Sequence, residues 1–180
     1  TGNTARMPAK SLNPFRFSAL RQLGAASRNI IGAIALSAAG LVGIAQYEGY
    51  SDNAIIPVPG DVPTLGFGTT QGVKLGDKTS PPKALERLLH DAQTAVNGVL
   101  RCVLVPLTQG ELDVYVSLAY NIGVHAFCNS TLVRLLNAGQ YPQACAQILR
   151  WNQVAGKPNK GLMNRRQDEY TDCLAAGVSP

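Results

Sequence analysis

The longest apolar stretch of the chain runs without a charge from Ile30 to Ala45. As a helix, these 16 residues would reach about 24 Å at roughly 1.5 Å per residue, short of a hydrocarbon core of about 30 Å. Nine of the 16 are Gly, Ala or Ser, so a bilayer would hold the segment only weakly. Three readings stay open: a cleaved signal peptide with Gly43 and Ala45 before the cut, a buried core helix, and an uncleaved signal-anchor that later leaves the membrane.

After Tyr47 the pattern changes. Ala54–Val58 is a short apolar run, Pro59-Gly60-Asp61 has strong turn chemistry, and Thr64–Gly68 is a second short run. Together they predict a small β-hairpin. Gly76–Pro82 reads as loop, with Thr79 or Ser80 placed to cap a helix whose first turn holds prolines. Apolar residues at helical spacing then predict helices over Lys83–Val105, Thr108–Asn121, Thr131–Ala138, Tyr141–Trp151 and Leu162–Ala176. Thr108 and Glu111 form a capping box, and Asn129 or Ser130 caps the helix after it. The fold class expected is α+β, mostly helical with one small hairpin.

Charge adds a division along the chain. Residues 1–47 carry Arg6, Lys10, Arg16, Arg21 and Arg28 and no acid, whereas the remainder balances 11 Lys/Arg against 11 Asp/Glu. The net charge of +5 therefore belongs to a basic arm, and the body has no bias toward nucleic acid. A basic arm before an apolar run reads as a cytoplasm-retained flank. The four cysteines, Cys102, Cys128, Cys145 and Cys173, form no CxxC pair and have only two histidines for company, which argues against zinc. They are reduced core thiols or, after export, two disulfides. Of three possible pairings, Cys102–Cys128 with Cys145–Cys173 is expected, the pairing with the smallest summed separation in sequence.

Candidate chemistry centres on Glu48, between the apolar run and the hairpin. A carboxylic acid beside apolar surface suits the protonation of a glycosidic oxygen; the bland alternative is a solvated residue ending a membrane segment. His90 and His125 stand far apart with no nucleophile motif nearby, and read as surface groups. Trp151 and Tyr141 read as core or core edge.

The ordered motifs go further. Glu48-Gly49-Tyr50, the hairpin, Thr64-Leu65-Gly66-Phe67-Gly68, Pro106-Leu107-Thr108-Gln109 and Ala119-Tyr120-Asn121-Ile122-Gly123 follow one another. Ser130-Thr131-Leu132, Leu136-Asn137-Ala138-Gly139, Leu149-Arg150-Trp151-Asn152, Gly161-Leu162 and Arg165-Arg166 complete the series. Over about residues 46–176 the chain resembles the phage lysozymes of the T4 type, glycoside hydrolase family 24. The resemblance implies a lysozyme-like fold whose hairpin bears part of the active site. It also implies hydrolysis of the β-1,4 bond between N-acetylmuramic acid and N-acetylglucosamine in peptidoglycan. Glu48 would be the general acid, with a carboxylate and Thr64 positioning the attacking water.

The carboxylate is where the chain departs from the pattern. The family places an Asp nine residues after the Glu, where this chain has Pro57. Asp61 in the hairpin turn is favoured in that role over Asp52. Substrate contacts are expected at Gly66, Phe67, Asn121 and Arg166: the glycines of the strand would let a sugar chain lie close, and Arg165-Arg166 is a solvated face or a clamp for peptide carboxylates.

Cleavage after Ala45 would leave Glu48 with no helix to hold it, which favours retention of the apolar segment. That segment resembles the signal-anchor-release domains of phage endolysins. The organisation expected is a basic arm at 1–29, a signal-anchor-release segment at 30–46 and a lysozyme-like catalytic domain at 47–180. The partners expected are peptidoglycan and, through residues 30–45, the host inner membrane, first tethered on its periplasmic side and then released into the periplasm. No metal or cofactor is expected, and the chain would act as a monomer. The rival readings are a lytic transglycosylase or chitinase-like muralytic enzyme, and a non-enzymatic membrane or wall-binding protein.

Overall fold

The computed structural model describes residues 35–57 and 60–177. The basic arm and the first residues of the apolar run, including Ile30 to Ile34, lie outside them. The fold is α+β, mostly helical with a small antiparallel hairpin.

Helix α1 spans Ala38–Glu48. The apolar run does not continue as helix back through its described start, because Ser37 adopts an extended conformation and its hydroxyl accepts the Gly40 N–H, a side-chain N-cap. Gly49, at φ +69°, ends the helix. Ile44 is its fully buried residue, with Leu36, Leu41 and Ala45 partly buried against the core. Gly40, Gly43 and Ile44 thus share one helix with Glu48, across the boundary expected at residue 46. No helix of the described residues is long and apolar enough to cross a membrane.

Strands β1 (Ser51–Ile55) and β2 (Thr64–Gly66) pair antiparallel, with Ser51 opposite Gly66, Ile55 opposite Thr64, and an irregularity between. The first strand starts three residues earlier than its apolar run suggested. Its backbone is also engaged by the following loop: Ala54 N–H donates to Asp77 O and Thr79 N–H to Asp52 O, both at 2.9 Å.

Helix α2, Pro81–Cys102, begins on two prolines after Ser80, where a missing N–H costs nothing. One face buries Ala84, Leu88, Ala92, Val96 and Val99, and the helix stops at Cys102, three residues before the expected Val105, because Val103 is extended. Helix α3, Gln109–Ile122, opens with the reciprocal Thr108–Glu111 capping box and runs through the core, burying every residue from Val114 to Ala119. It packs against α1, against α2, and against α7 (Lys160–Gly177).

Between them lie α4 (Val124–Cys128), α5 (Thr131–Asn137, capped by Ser130) and α6 (Tyr141–Gln147), the last continued by a 3-10 turn at Ile148–Arg150. A Cβ on Gly98 would sit 2.3 Å from Val124, so a glycine there is what lets α2 and α4 touch. A second hairpin, β3 (Gln153–Val154) with β4 (Lys157–Pro158), turns on Ala155 and Gly156, both at positive φ. Disulfides join Cys102 to Cys128 and Cys145 to Cys173, the pairs expected. The second fastens α6 to α7 inside the core, with the Tyr115 hydroxyl 3.4 Å from Cys173 Sγ.

Candidate active site

Glu48 is the last residue of α1, and its position follows from where that helix stops. Arg165 of α7 donates from Nη1 to Glu48 Oε1 at 3.0 Å, an ion pair in which the glutamate side chain is 21% exposed. The acid therefore has a cationic partner where the sequence suggested an apolar wall. On its other side stands the backbone after β2: a Cβ on Gly68 would lie 3.2 Å from Glu48 Oε2.

Arg165 is itself buried and divides its donors. Nε reaches Glu169 Oε1 at 3.2 Å, and Nη2 reaches the carbonyl and hydroxyl oxygens of Ser117 at 3.3 Å. Its guanidinium lies over the Tyr47 ring, 4.6 Å from the centroid. Glu169 also accepts from Ser117 Oγ at 2.8 Å and from Arg166 Nη2 at 3.1 Å, and Arg166 Nε lies 2.7 Å from Glu169 Oε2. Arg166 Nη1 then donates to Asn121 Oδ1 at 3.1 Å. Two guanidiniums and two carboxylates thus form one chain from Asn121 to Glu48. Such pairing is the condition for burying charge at all.

This arrangement corrects two expectations. Arg166 is wholly buried, so it has no surface to offer a substrate, and burial pushes its guanidinium pKa down while Glu169 counters. Nor is Arg165-Arg166 a solvated face. Gly66 is also buried: a Cβ there would meet that of Ala84 at 2.8 Å, so the glycine serves the contact of hairpin and α2 and does not make room for a sugar. Asn121 is exposed, and Phe67 is half-buried against the Tyr50 ring at 5.2 Å between centroids.

Thr64, Asp61 and Asp52 each make a local hydrogen bond within the hairpin segment. Thr64 is half-buried, and its hydroxyl donates to Val62 O at 3.3 Å. Asp61 is exposed and accepts the Val62 N–H at 2.8 Å, whereas Asp52, also exposed, accepts from Asn53 Nδ2 at 2.6 Å. Among the described residues no hydrogen bond joins Glu48 to Asp61, Asp52 or Thr64. His90 and His125 are exposed.

Three side chains around Glu48 were not singled out from the sequence. Tyr120 is pushed up to about 12, by burial first and then by the negative charges of Glu48 and Asp91, which Arg165 partly offsets. Tyr47 is likewise raised to about 12, by burial and by its hydrogen bond to Asp168. Asp91 accepts the hydroxyl of buried Thr69 at 3.1 Å, on the residue next to Gly68. The spacing of Arg165, Arg166 and Glu169 was the available clue, since i,i+3 and i,i+4 charges meet on one helix face.

The sequence model of the phage lysozyme family matches residues 45–169. The chain belongs to the phage lysozyme family. A SAR-endolysin of Pseudomonas phage phiKMV is 36% identical over 141 residues, covering 76% of this chain and 87% of that protein. An endolysin of Bacillus phage B103 is 38% identical over 138 residues, and there the match covers 76% of this chain and 52% of the relative. The chain thus spans about half the length of that Bacillus phage relative. Among solved structures, an endolysin from Escherichia coli O157:H7 phage FAHEc1 superimposes with a TM-score of 0.74 at 36% identity, covering 83% of this chain and 98% of the other. For this phage lysozyme domain, Glu48 falls inside the matched region, whereas the first seven residues of α1, Ala38 to Ile44, precede it.

Proposed function

We propose that this phage lysozyme domain is a muramidase that hydrolyses the β-1,4 bond between N-acetylmuramic acid and N-acetylglucosamine in peptidoglycan. The observation that carries the reading is Glu48 itself: a partly exposed carboxyl at a helix end, clamped by Arg165 and closely faced by the Gly68 backbone. A general acid needs this combination of fixed geometry and access to the bond. Glu48 would hand its proton to the bridging oxygen, after which the cleaved sugar is attacked by water. Asp61 and Thr64, on the hairpin that follows the acid in sequence, would orient that water; Phe67 and Asn121 would contact the glycan. A water between two carboxylates requires a wider gap than a covalent mechanism does.

The chain would reach its substrate as a signal-anchor-release enzyme. Similarity to phage proteins described as SAR-endolysins supports this, and so does an apolar run in which nine of 16 residues are Gly, Ala or Ser and which a bilayer would hold only weakly. In the tethered state Glu48 would be held at the membrane surface on the periplasmic side, and release into the periplasm would seat α1 and complete the site.

The test is digestion of purified sacculi by the wild type and by Glu48→Gln, Asp61→Asn and Asp52→Asn, with mass spectrometry of the products. Reducing muramic ends that vanish in Glu48→Gln, and fall sharply in Asp61→Asn alone of the two aspartates, are the expected outcome. Anhydro-muramic ends would assign a transglycosylase instead, and lysis by Glu48→Gln at the wild-type rate would remove the enzymatic reading altogether.

A further inference from the structure

Helix α1 packs on the core through one fully buried residue, with Leu41 and Ala45 partly buried beside it. Ile44 is its fully buried residue, and a groove of about 250 Å³ remains beside it, lined by Gly40, Gly43, Tyr47, Asp113 and Ser117 among others. A Cβ on Gly43 would touch nothing within 4 Å. The polar fastenings of the helix sit at its two ends. Glu48 and Arg165 form one fastening.

The other is built by α3 around Ser37. Asp113 Oδ1 accepts the Ser37 N–H at 3.0 Å, and Asp113 Oδ2 accepts the Ser37 hydroxyl. That hydroxyl oxygen in turn accepts the Gly40 N–H at 3.0 Å. Gln109 closes the arrangement, donating to Asp113 Oδ1 at 2.9 Å and to Ala35 O at 3.1 Å. Gly40 lies so close that a Cβ there would be 2.8 Å from the Asp113 carboxyl carbon. Ser37 is the one residue with a polar side chain in the run Ile30–Ala45, and it is the residue that Asp113 holds.

We propose that Asp113 is a positioning residue for Glu48: with Ser37 and Gln109 it forms a latch that fixes where α1 begins and, through the helix, where the acid sits at its far end. The inference rests on Glu48 being the general acid. An 11-residue helix is stiff, so a displacement of its first turn carries through to its last. The latch also gives docking a chemical signature. Charge-assisted hydrogen bonds form only when Ser37 has left apolar surroundings and met Asp113.

The experiment uses the full chain. Asp113→Ala removes the latch from the body, and Ser37→Ala removes it from α1, where the substitution leaves the core untouched. The expected result is faster amide exchange in α1 with unchanged exchange in α2 and α3. Turnover of sacculi should fall by about tenfold or more, the scale of a misplaced catalytic group, with the half-saturating sacculus concentration held within about twofold of wild type. Ser37→Thr, which keeps an N-cap hydroxyl, should restore turnover, and the double Ala variant should be no worse than Asp113→Ala. Unchanged α1 exchange in Ser37→Ala, or wild-type turnover in Asp113→Ala, would overturn the proposal. The exchange readout needs no activity, so the latch can fail while Glu48→Gln still reports a muramidase, and the reverse.

Discussion

The Arg165 guanidinium and the Glu48 carboxylate meet at 3.0 Å across 117 residues of sequence. The contact joins the end of α1 to α7 through a group that also satisfies Glu169 and Ser117. Arg165 is therefore shared between folding and the site, and its planar fork matters as much as its charge. Arg165→Met should unfold at lower urea, with a loss of about 3–5 kcal/mol, the usual consequence of removing one partner of a buried pair. Arg165→Lys keeps the charge but cannot serve three partners at once, so its midpoint should fall between the two. Equal midpoints for Lys and Met would mean that the fork geometry contributes all of the effect.

Gly68 supplies a sharper test of how closely the hairpin backs the acid. At φ +83° it has a conformation that costs an L side chain about 1–2 kcal/mol, and its Cβ would press on Glu48 Oε2 at 3.2 Å. Gly72, at φ +73° with nothing within 4 Å of a Cβ, is the matched control. Gly68→Ala and Gly72→Ala should lose similar stability in thermal melts. Only Gly68→Ala should also lose turnover on sacculi. Matching activities would show that Glu48 tolerates displacement.

What the sequence disclosed depended on how far apart the interacting residues lie. Thr108 and Glu111 are three residues apart, so their capping box was legible; the prolines at the start of α2 and the apolar face of Leu88, Ala92, Val96 and Val99 were too. In the sequence Ser37 is one more small residue in an apolar run, because Asp113, the group that holds it, lies 76 residues away. Helix α4 and the hairpin at Ala155-Gly156 are too short to carry a period. Glu48 and Thr64 are candidates through the order of the motifs, whereas the burial of Arg166 and of Gly66 is a property of tertiary contacts with α3 and α2. Asp61 lies in the hairpin turn as expected, and Asp52 joins the same hairpin because β1 begins at Ser51; both are exposed.

The two glycines of α1 should respond in opposite directions. Gly43 faces the groove with open space around it, so Gly43→Ala gains helix propensity of about 0.5–1 kcal/mol without a clash. At Gly40 the same change must displace the Asp113 carboxyl or the Leu36 side chain, each 2.8 Å from the new Cβ. Denaturant unfolding should place Gly43→Ala above wild type and Gly40→Ala below it. A stabilised Gly40→Ala would mean that the first turn of α1 can shift freely.

Tyr120 reports on the charge at the site. Its phenol is raised to about 12 by burial and by Glu48 and Asp91, and a proton held more tightly in the fold than in the unfolded chain gives stability a definite sign. Below the ordinary tyrosine value of 10 that stability is fully present. As pH rises from 10 through about 12 the unfolded chain sheds the proton first, and the contribution is lost. Tyr120→Phe should remove one proton from the alkaline slope of unfolding free energy, leaving the part due to Tyr47, which is raised to about 12 by its own burial and by Asp168. Glu48→Gln deletes one of the negative charges acting on Tyr120, so one tyrosinate absorbance transition should move to lower pH while the Tyr47 transition stays near its place. A Glu48→Gln titration identical to wild type would mean that the acid and the phenol do not share a field, and that Tyr120 lies outside the site.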